Sequence, residues 1–184
     1  LRGLDFEKER VVLLTTHRRE NWGMPMERIF AAVRQLITAF PDIRVVFPVH
    51  KNPRIREVAV RMLGDLPRVN LIEPPAYEEF VNLMARVFFL LTDSGGLQEE
   101  APSLGKPVLV LRETTERPEG VDAGTALLVG TDDGQIVKEA TKLLTDTKAY
   151  ATMAEAPNPY GDGHASERIL QILWEQRKLL QLEG

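Results

Sequence analysis

The amino-acid sequence predicts an α/β fold in which a doubly wound parallel sheet carries helices on both faces. Three observations carry that expectation. Short apolar runs alternate with segments of helical period along the chain, the arrangement that lays crossover helices over parallel strands. The apolar runs show little period-2 alternation, as strands buried on both faces should. With 184 residues, 43% of them hydrophobic, the chain suffices for one well-buried core and is short for two full domains.

Taken in order, the candidate strands are Val11 to Thr15, Arg44 to Val49, Val69 to Ile72, Val87 to Thr92, Pro107 to Leu111 and Ala126 to Val129. Between the first two, Ile29, Phe30, Val33, Leu36, Ile37 and Phe40 recur at helical spacing and form one apolar stripe before Pro41 and Asp42 end the element. Further helices are expected from Arg54 to Leu63, Glu78 to Ala85, Gln98 to Leu104, Gly134 to Thr145 and Ala165 to Leu182. The stretch Asn158 to Gly163, NPYGDG, reads as a turn before the last helix. His164 reads as a helix-terminus residue.

Composition narrows the function classes. The formal net charge is −4 and the basic residues are dispersed, so nucleic acid is not an expected partner. There is no cysteine, which excludes disulfides, thiolate metal sites and cysteine nucleophiles and agrees with a reducing compartment. Three dispersed histidines make a dedicated metal site unexpected. No apolar run approaches the roughly 20 residues that cross a bilayer, and the opening LRGLDFEKER lacks the apolar centre of a secretory signal. A soluble chain without a membrane partner, located in the cytoplasm, is expected.

The polar, charge-rich segments fall after strands. THRRENWG (16–23) follows the first, HKNPRIRE (50–57) the second, DSGG (93–96) the fourth and RETTERPEG (112–120) the fifth. In an open parallel sheet, ligands sit beyond the carboxyl ends of the strands. Arginines suit phosphate and carboxylates suit vicinal hydroxyls, so this rim fits an anionic, polyhydroxylated ligand such as a sugar nucleotide. In DSGG, Ser94, Gly95 and Gly96 stand at a helix start, where exposed backbone N–H groups stabilise an anion. The glycines are expected to let the main chain turn sharply and approach a ligand without a Cβ in the way. An ordinary strand-to-helix turn with glycine punctuation is the competing reading of SGG alone.

THRRENWG, PVHKNPRIRE, LTDSGGLQEEAPSLGKPVLVLRETTERPEG, AGTALLVGTD and NPYGDG together resemble the non-hydrolysing bacterial UDP-N-acetylglucosamine 2-epimerases, over essentially all 184 residues. The resemblance implies a two-domain fold similar to the GT-B glycosyltransferases, of which residues 1–184 correspond to the Rossmann-like, carboxyl-terminal, sugar-nucleotide-binding domain. The amino-terminal domain is then absent from this chain, an expectation with which the lack of an initiating methionine agrees. The implied activity interconverts UDP-N-acetylglucosamine and UDP-N-acetylmannosamine by eliminating UDP to a glycal and adding it back on the opposite face of C2. It needs no added cofactor and feeds bacterial surface polysaccharides. A homodimer is implied for the full-length protein.

Residue roles follow from the same resemblance. Ser94, Gly95 and Gly96 match the positions that hold the diphosphate, and Glu100 matches the carboxylate on the ribose hydroxyls. An isolated glutamate in a first helical turn is otherwise just a dipole partner, as Glu99 is taken to be. Arg117 matches a substrate-binding arginine, with surface solvation as the alternative. Phe80 matches a residue packed at the uracil, with a core-facing side chain as the alternative. Pro75 stands near a glutamine of some relatives and offers only its carbonyl. His17 matches the histidine that assists the departing UDP, by charge stabilisation or by proton donation; the carboxylates that take the C2 proton are implied in the other domain. Arg18 and His50 match positions that contact a second, activating UDP-N-acetylglucosamine in some members, or else they simply line the cleft. Two other readings remain at this point: the donor domain of a GT-B glycosyltransferase, against which HRREN joined to TTERPEG stands, and a stand-alone nucleotide-binding module. The isolated chain is expected to bind UDP weakly and not to epimerise.

Overall fold

The computed structural model describes residues 3–177. Six parallel strands, β1 (Arg10–Thr15), β2 (Ile43–Pro48), β3 (Val69–Ile72), β4 (Phe89–Thr92), β5 (Val108–Val110) and β6 (Ala126–Leu128), form one sheet in the order β3-β2-β1-β4-β5-β6. The helices are α1 (Met24–Ala39), α2 (Pro53–Leu63), α3 (Tyr77–Arg86), α4 (Gly95–Glu100), α5 (Pro118–Asp122), α6 (Asp133–Thr145), α7 (Thr147–Ala154) and α8 (Ala165–Glu175). Short 3₁₀ turns cover Arg19–Asn21 and Ala101–Leu104.

Pleating sorts the strand residues onto two faces. Val12, Leu14, Val45, Phe47, Phe89 and Leu91 pack with the buried stripes of α1, α2 and α6. Val11, Leu13, Val46, Leu90, Val108 and Val110 pack with Leu83 and Met84 of α3 and Leu97 of α4. Two of the expected helix starts carry side-chain caps of the type their sequence signals. Asn52 and Asp132 each accept a backbone N–H, from Arg54 and Gln135, both at 3.0 Å, and Pro53 occupies the first turn of α2.

Strand order reverses between β1 and β4. From β1 the chain winds out through β2 to β3, then returns to β4 and winds the other way to β6. That reversal opens a crevice beyond the carboxyl ends of β1 and β4. In register, Thr15 lies beside Thr92, their hydroxyls 2.6 Å apart, so residues 16–18 and 93–95 leave the sheet side by side.

The expected strands and most expected helices are present, with instructive differences. β4 begins at Phe89 rather than Val87, because Val87 ends α3 as its C-cap and donates to the Leu83 carbonyl. The helix expected from Gln98 to Leu104 instead starts at Gly95 and passes into 3₁₀ geometry at Ala101, since Pro102 has no N–H for the next α-helical bond. The short α5, the 3₁₀ turn at Arg19–Asn21 and α7, which buries no residue, are elements beyond those expected. The last helix runs from Ala165 to Glu175, and its expected extension to Leu182 falls outside the described residues. Ile169, Leu170, Ile172, Leu173 and Trp174 of that helix are all at least 50% exposed.

Candidate functional site

Two loops meet at the crevice, one after β1 and one after β4, and a buried carboxylate joins them. Asp93 is fully buried, and its Oδ2 accepts from the Thr16 hydroxyl at 2.8 Å, from the backbone N–H groups of His17 and Arg18 at 2.9 Å each, and from the Asn21 amide at 3.0 Å. Asn21, also buried, donates onward to the Leu111 carbonyl at 3.1 Å and so ties in the end of β5. His17 Nδ1 lies 3.4 Å from Asp93 Oδ1. The exposed His17 ring stacks on His50 with centroids 5.6 Å apart and planes 12° apart. His50 Nδ1 accepts the Asn52 N–H at 3.1 Å, which fixes that ring from the loop after β2.

After Asp93, Ser94 adopts extended N-cap geometry (φ −83°, ψ 127°) and α4 begins at Gly95. The Ser94 hydroxyl makes no capping bond, although serine at this position ordinarily does. Neither glycine has a positive φ, so the turn itself does not require them, contrary to the expectation from sequence. Their lack of a Cβ matters for space. A Cβ on Gly95 would lie 2.6 Å from Glu116 Oε1, whereas one on Gly96 would meet nothing closer than 3.8 Å. The exposed Gly96 is flanked there by Glu100 Oε1 and the Ser94 hydroxyl. Glu100 in turn accepts from the Tyr77 hydroxyl at 3.4 Å.

Surface ion pairs hold the loop after β5. Arg112 reaches Glu20 at 2.6 Å and pairs with Glu116, which also accepts from Arg18 Nη2 at 2.9 Å. Glu116 lies below the ordinary carboxylate range, through the hydrogen bond with its own backbone and then through Arg112 and Arg18, against the opposing effect of burial. Arg117 pairs with Glu99, whose carboxylate raises the guanidinium further. Glu99 is thus an ion-pair partner and not the helix-start dipole partner expected, because α4 begins at Gly95 and places Glu99 near its carboxyl end. The NPYGDG turn clamps the same loop: the Tyr160 hydroxyl accepts the Gly120 N–H at 3.0 Å and donates to the Arg117 carbonyl at 3.4 Å.

The residues singled out in the sequence are brought together unequally. Thr15, Thr16, His17, Pro48, His50, Pro74, Pro75, Phe80, Ser94 and Leu97 line a cavity of about 270 Å³ at the switch point. Phe80 meets both of its alternatives, being half-buried against the core and facing this cavity. A second cavity, of about 360 Å³, is lined by His17, Arg18, Arg19, Trp22, His50 and Asn52, so the two stacked imidazoles form a shared wall. Arg18 stands on the second side, and Gly95, Gly96, Glu100 and Arg117 line neither cavity. Sequence reasoning missed Asp93 and Asn21 as the organisers of the rim. The only available signal was an acid directly after a buried strand.

Comparison with known proteins gives a consistent result. The family model described as UDP-N-acetylglucosamine 2-epimerase matches residues 2–174. A UDP-N-acetylglucosamine 2-epimerase of Bacillus subtilis (strain 168) is 57% identical over 166 residues, which is 90% of this chain and 44% of that protein. The S. aureus MnaA–UDP co-structure superposes with a TM-score of 0.88 at 51% identity, covering 94% of this chain and 47% of its own. The UDP-GlcNAc 2-epimerase from Neisseria meningitidis bound to UDP-GlcNAc gives 0.87 at 46% identity, covering 92% and 46%. A likeness of fold alone extends to the C-terminal domain of the group 1 glycosyl transferase LpcC from Francisella tularensis, at 19% identity and a TM-score of 0.66, over 83% of each chain. This chain therefore spans a little under half the length of the epimerases it matches.

Proposed function

The chain belongs to the UDP-N-acetylglucosamine 2-epimerase family, and from that premise we propose that it supplies the UDP-binding half of an enzyme interconverting UDP-N-acetylglucosamine and UDP-N-acetylmannosamine. The observation that carries this is the half-built site at the strand-order reversal. A cavity of about 270 Å³ is smaller than the roughly 300–1,000 Å³ of complete small-molecule pockets, and it opens on a rim of phosphate-compatible groups. The base sits against Phe80 and Pro75, the ribose hydroxyls on Glu100, and the diphosphate on Ser94, Gly95 and Gly96. Arg117 reaches the leaving diphosphate by exchanging Glu99 for phosphate. His17 stabilises the β-phosphate as UDP departs and returns. Removal of the C2 proton belongs to carboxylates outside this chain. The exposed apolar face of α8 suits packing against a further domain. No resident cofactor is invoked.

The second cavity supports a regulatory reading as well. It shares His17 and His50 with the first and adds Arg18 and Arg19, charges that suit the diphosphate of a second UDP-N-acetylglucosamine. Homodimerisation of the full-length protein and a cytoplasmic location belong to the same reading; among the described residues no helix is long and apolar enough to cross a membrane.

Calorimetric titration with UDP tests the nucleotide seat. Gly96→Val is the cleaner probe than Gly95→Val, because the fold leaves room for a side chain at 96 while one at 95 collides with Glu116. The expected result is measurable binding by the wild-type chain and at least tenfold weaker binding by Gly96→Val at an unchanged thermal midpoint. Equal affinity in the two proteins overturns the diphosphate assignment.

A further inference from the structure

We propose that Asp93 is a positioning residue for His17, holding Nδ1–H against its Oδ1 and turning Nε2 toward the substrate phosphate, to which Nε2 donates when the ring carries its second proton. The proposal deepens the functional reading above and rests on His17 acting at the diphosphate.

The argument starts from what the fold does and does not need from this side chain. Asp93 is fully buried at the carboxyl end of β4, where its own N–H continues the ladder to the Thr15 carbonyl at 3.2 Å. A buried carboxylate is costly unless its lone pairs are satisfied. Here the donors crowd one oxygen: Thr16 Oγ1, the N–H groups of His17 and Arg18, and Asn21 Nδ2 all lie within 2.8–3.0 Å of Oδ2. An asparagine with its carbonyl at the Oδ2 position would keep all four, since an amide oxygen also accepts. The four short bonds of the loop therefore ask for one oxygen only.

The second oxygen is what a carboxylate adds over an amide. Oδ1 takes the longer branch of the His17 N–H, at 3.2 Å, and faces His17 Nδ1 at 3.4 Å. That separation is an ion-pair distance, longer than an ordinary N–H···O bond. The ring is held in this direction on its flat side by His50. Which nitrogen of a histidine bears the proton is set by the acceptor that the other atoms leave available. With Oδ1 beside it, Nδ1 keeps its hydrogen and Nε2 is the nitrogen that takes up the second proton and then donates to the phosphate. An amide NH₂ at the Oδ1 position would present a donor to Nδ1 and reverse the assignment.

The test is ¹⁵N NMR of the His17 ring in this chain, with UDP affinity measured on the same samples. In the wild type the neutral ring is expected with its proton on Nδ1. Asp93→Asn is expected to move the proton to Nε2. Thr16→Val removes a donor to Oδ2 but leaves Oδ1 in place, so it is expected to retain the wild-type pattern; a merely structural role for Asp93 makes the two variants alike. A wild-type neutral ring protonated on Nε2 overturns the proposal whether or not Asp93→Asn folds, as does an unchanged spectrum in a folded Asp93→Asn. Failure of the wild-type chain to bind UDP sinks the functional reading instead, and the ring spectrum distinguishes that failure from this one.

Discussion

The loops after β1 and after β5 bring basic side chains to the same rim, yet they are fixed by opposite means. Residues 16–21 hang on one fully buried carboxylate, through neutral donors of which Thr16 and Asn21 are themselves buried. Residues 112–117 hang chiefly on ion pairs among Arg112, Glu116, Glu20, Arg18, Arg117 and Glu99, in each of which at least one partner is exposed, beside a hydrogen bond from the Thr115 hydroxyl to Gln98 Oε1 at 2.6 Å. Buried hydrogen bonds are unscreened and costly to break, whereas exposed ion pairs contribute about 0–1 kcal/mol and fade with salt. The first loop is therefore a fixed mount for His17. The second is a set of charges that can trade a carboxylate for a phosphate at little cost.

The comparison breaks most visibly at Asp93. Removing its carboxylate in Asp93→Ala leaves several buried donors without a partner, each worth roughly 1–3 kcal/mol. Urea unfolding is expected to show a loss of about 3 kcal/mol or more, independent of salt. A loss under about 1 kcal/mol, or one that vanishes at high salt, would place this loop in the same class as its neighbour.

A smaller effect sharpens the other side. Glu116 lies against Gly95 and holds Arg18 and Arg112, so it competes with any diphosphate for the same cations. Glu116→Gln is expected to change stability by less than about 1 kcal/mol and to tighten UDP binding by tenfold or less, about 1.4 kcal/mol at most. Weaker UDP binding in that variant would mean that Glu116 orients the arginines for the ligand rather than withholding them.

How much of this was legible in the sequence divides along the same line. The sheet could be read because strands such as Val87 to Thr92 are continuous apolar runs, and the rim because polar residues follow each of them. The same run could not show that Val87 belongs to the end of α3, since a helix terminus and a strand start are equally apolar when both are buried. Helix α7 escaped because none of its residues is fully buried, and Tyr150 and Met153, which pack against the core in part, are too few to make a stripe. Asp93 was visible as a small acid, but its value depends on donors at positions 16 to 21, more than 70 residues away in the chain. Glu99 and Glu100 are adjacent and identical in type. Only the fold separates them, by giving Arg117 to the first and the space beside Gly96 to the second.

Acid titration gives the smallest of these effects and the one with a definite sign. Glu116 in the folded chain lies below its ordinary value of 4.5, chiefly through its own backbone hydrogen bond and then through Arg112 and Arg18. A depressed carboxylate stabilises the fold above its unfolded-state pKa, and that contribution is lost as pH falls through the folded value. Its side chain is 39% exposed, so solvent and salt reduce the contribution. The difference in thermal midpoint between wild type and Glu116→Gln is therefore expected to be small near neutrality, to shrink below about pH 4.5, and to be smaller still at high salt. A wild type less stable than Glu116→Gln near neutrality, and regaining that loss on acidification, would show the carboxylate to be raised by the fold. The loop after β5 would then be held by burial, as the loop after β1 is, and not by exchangeable charge.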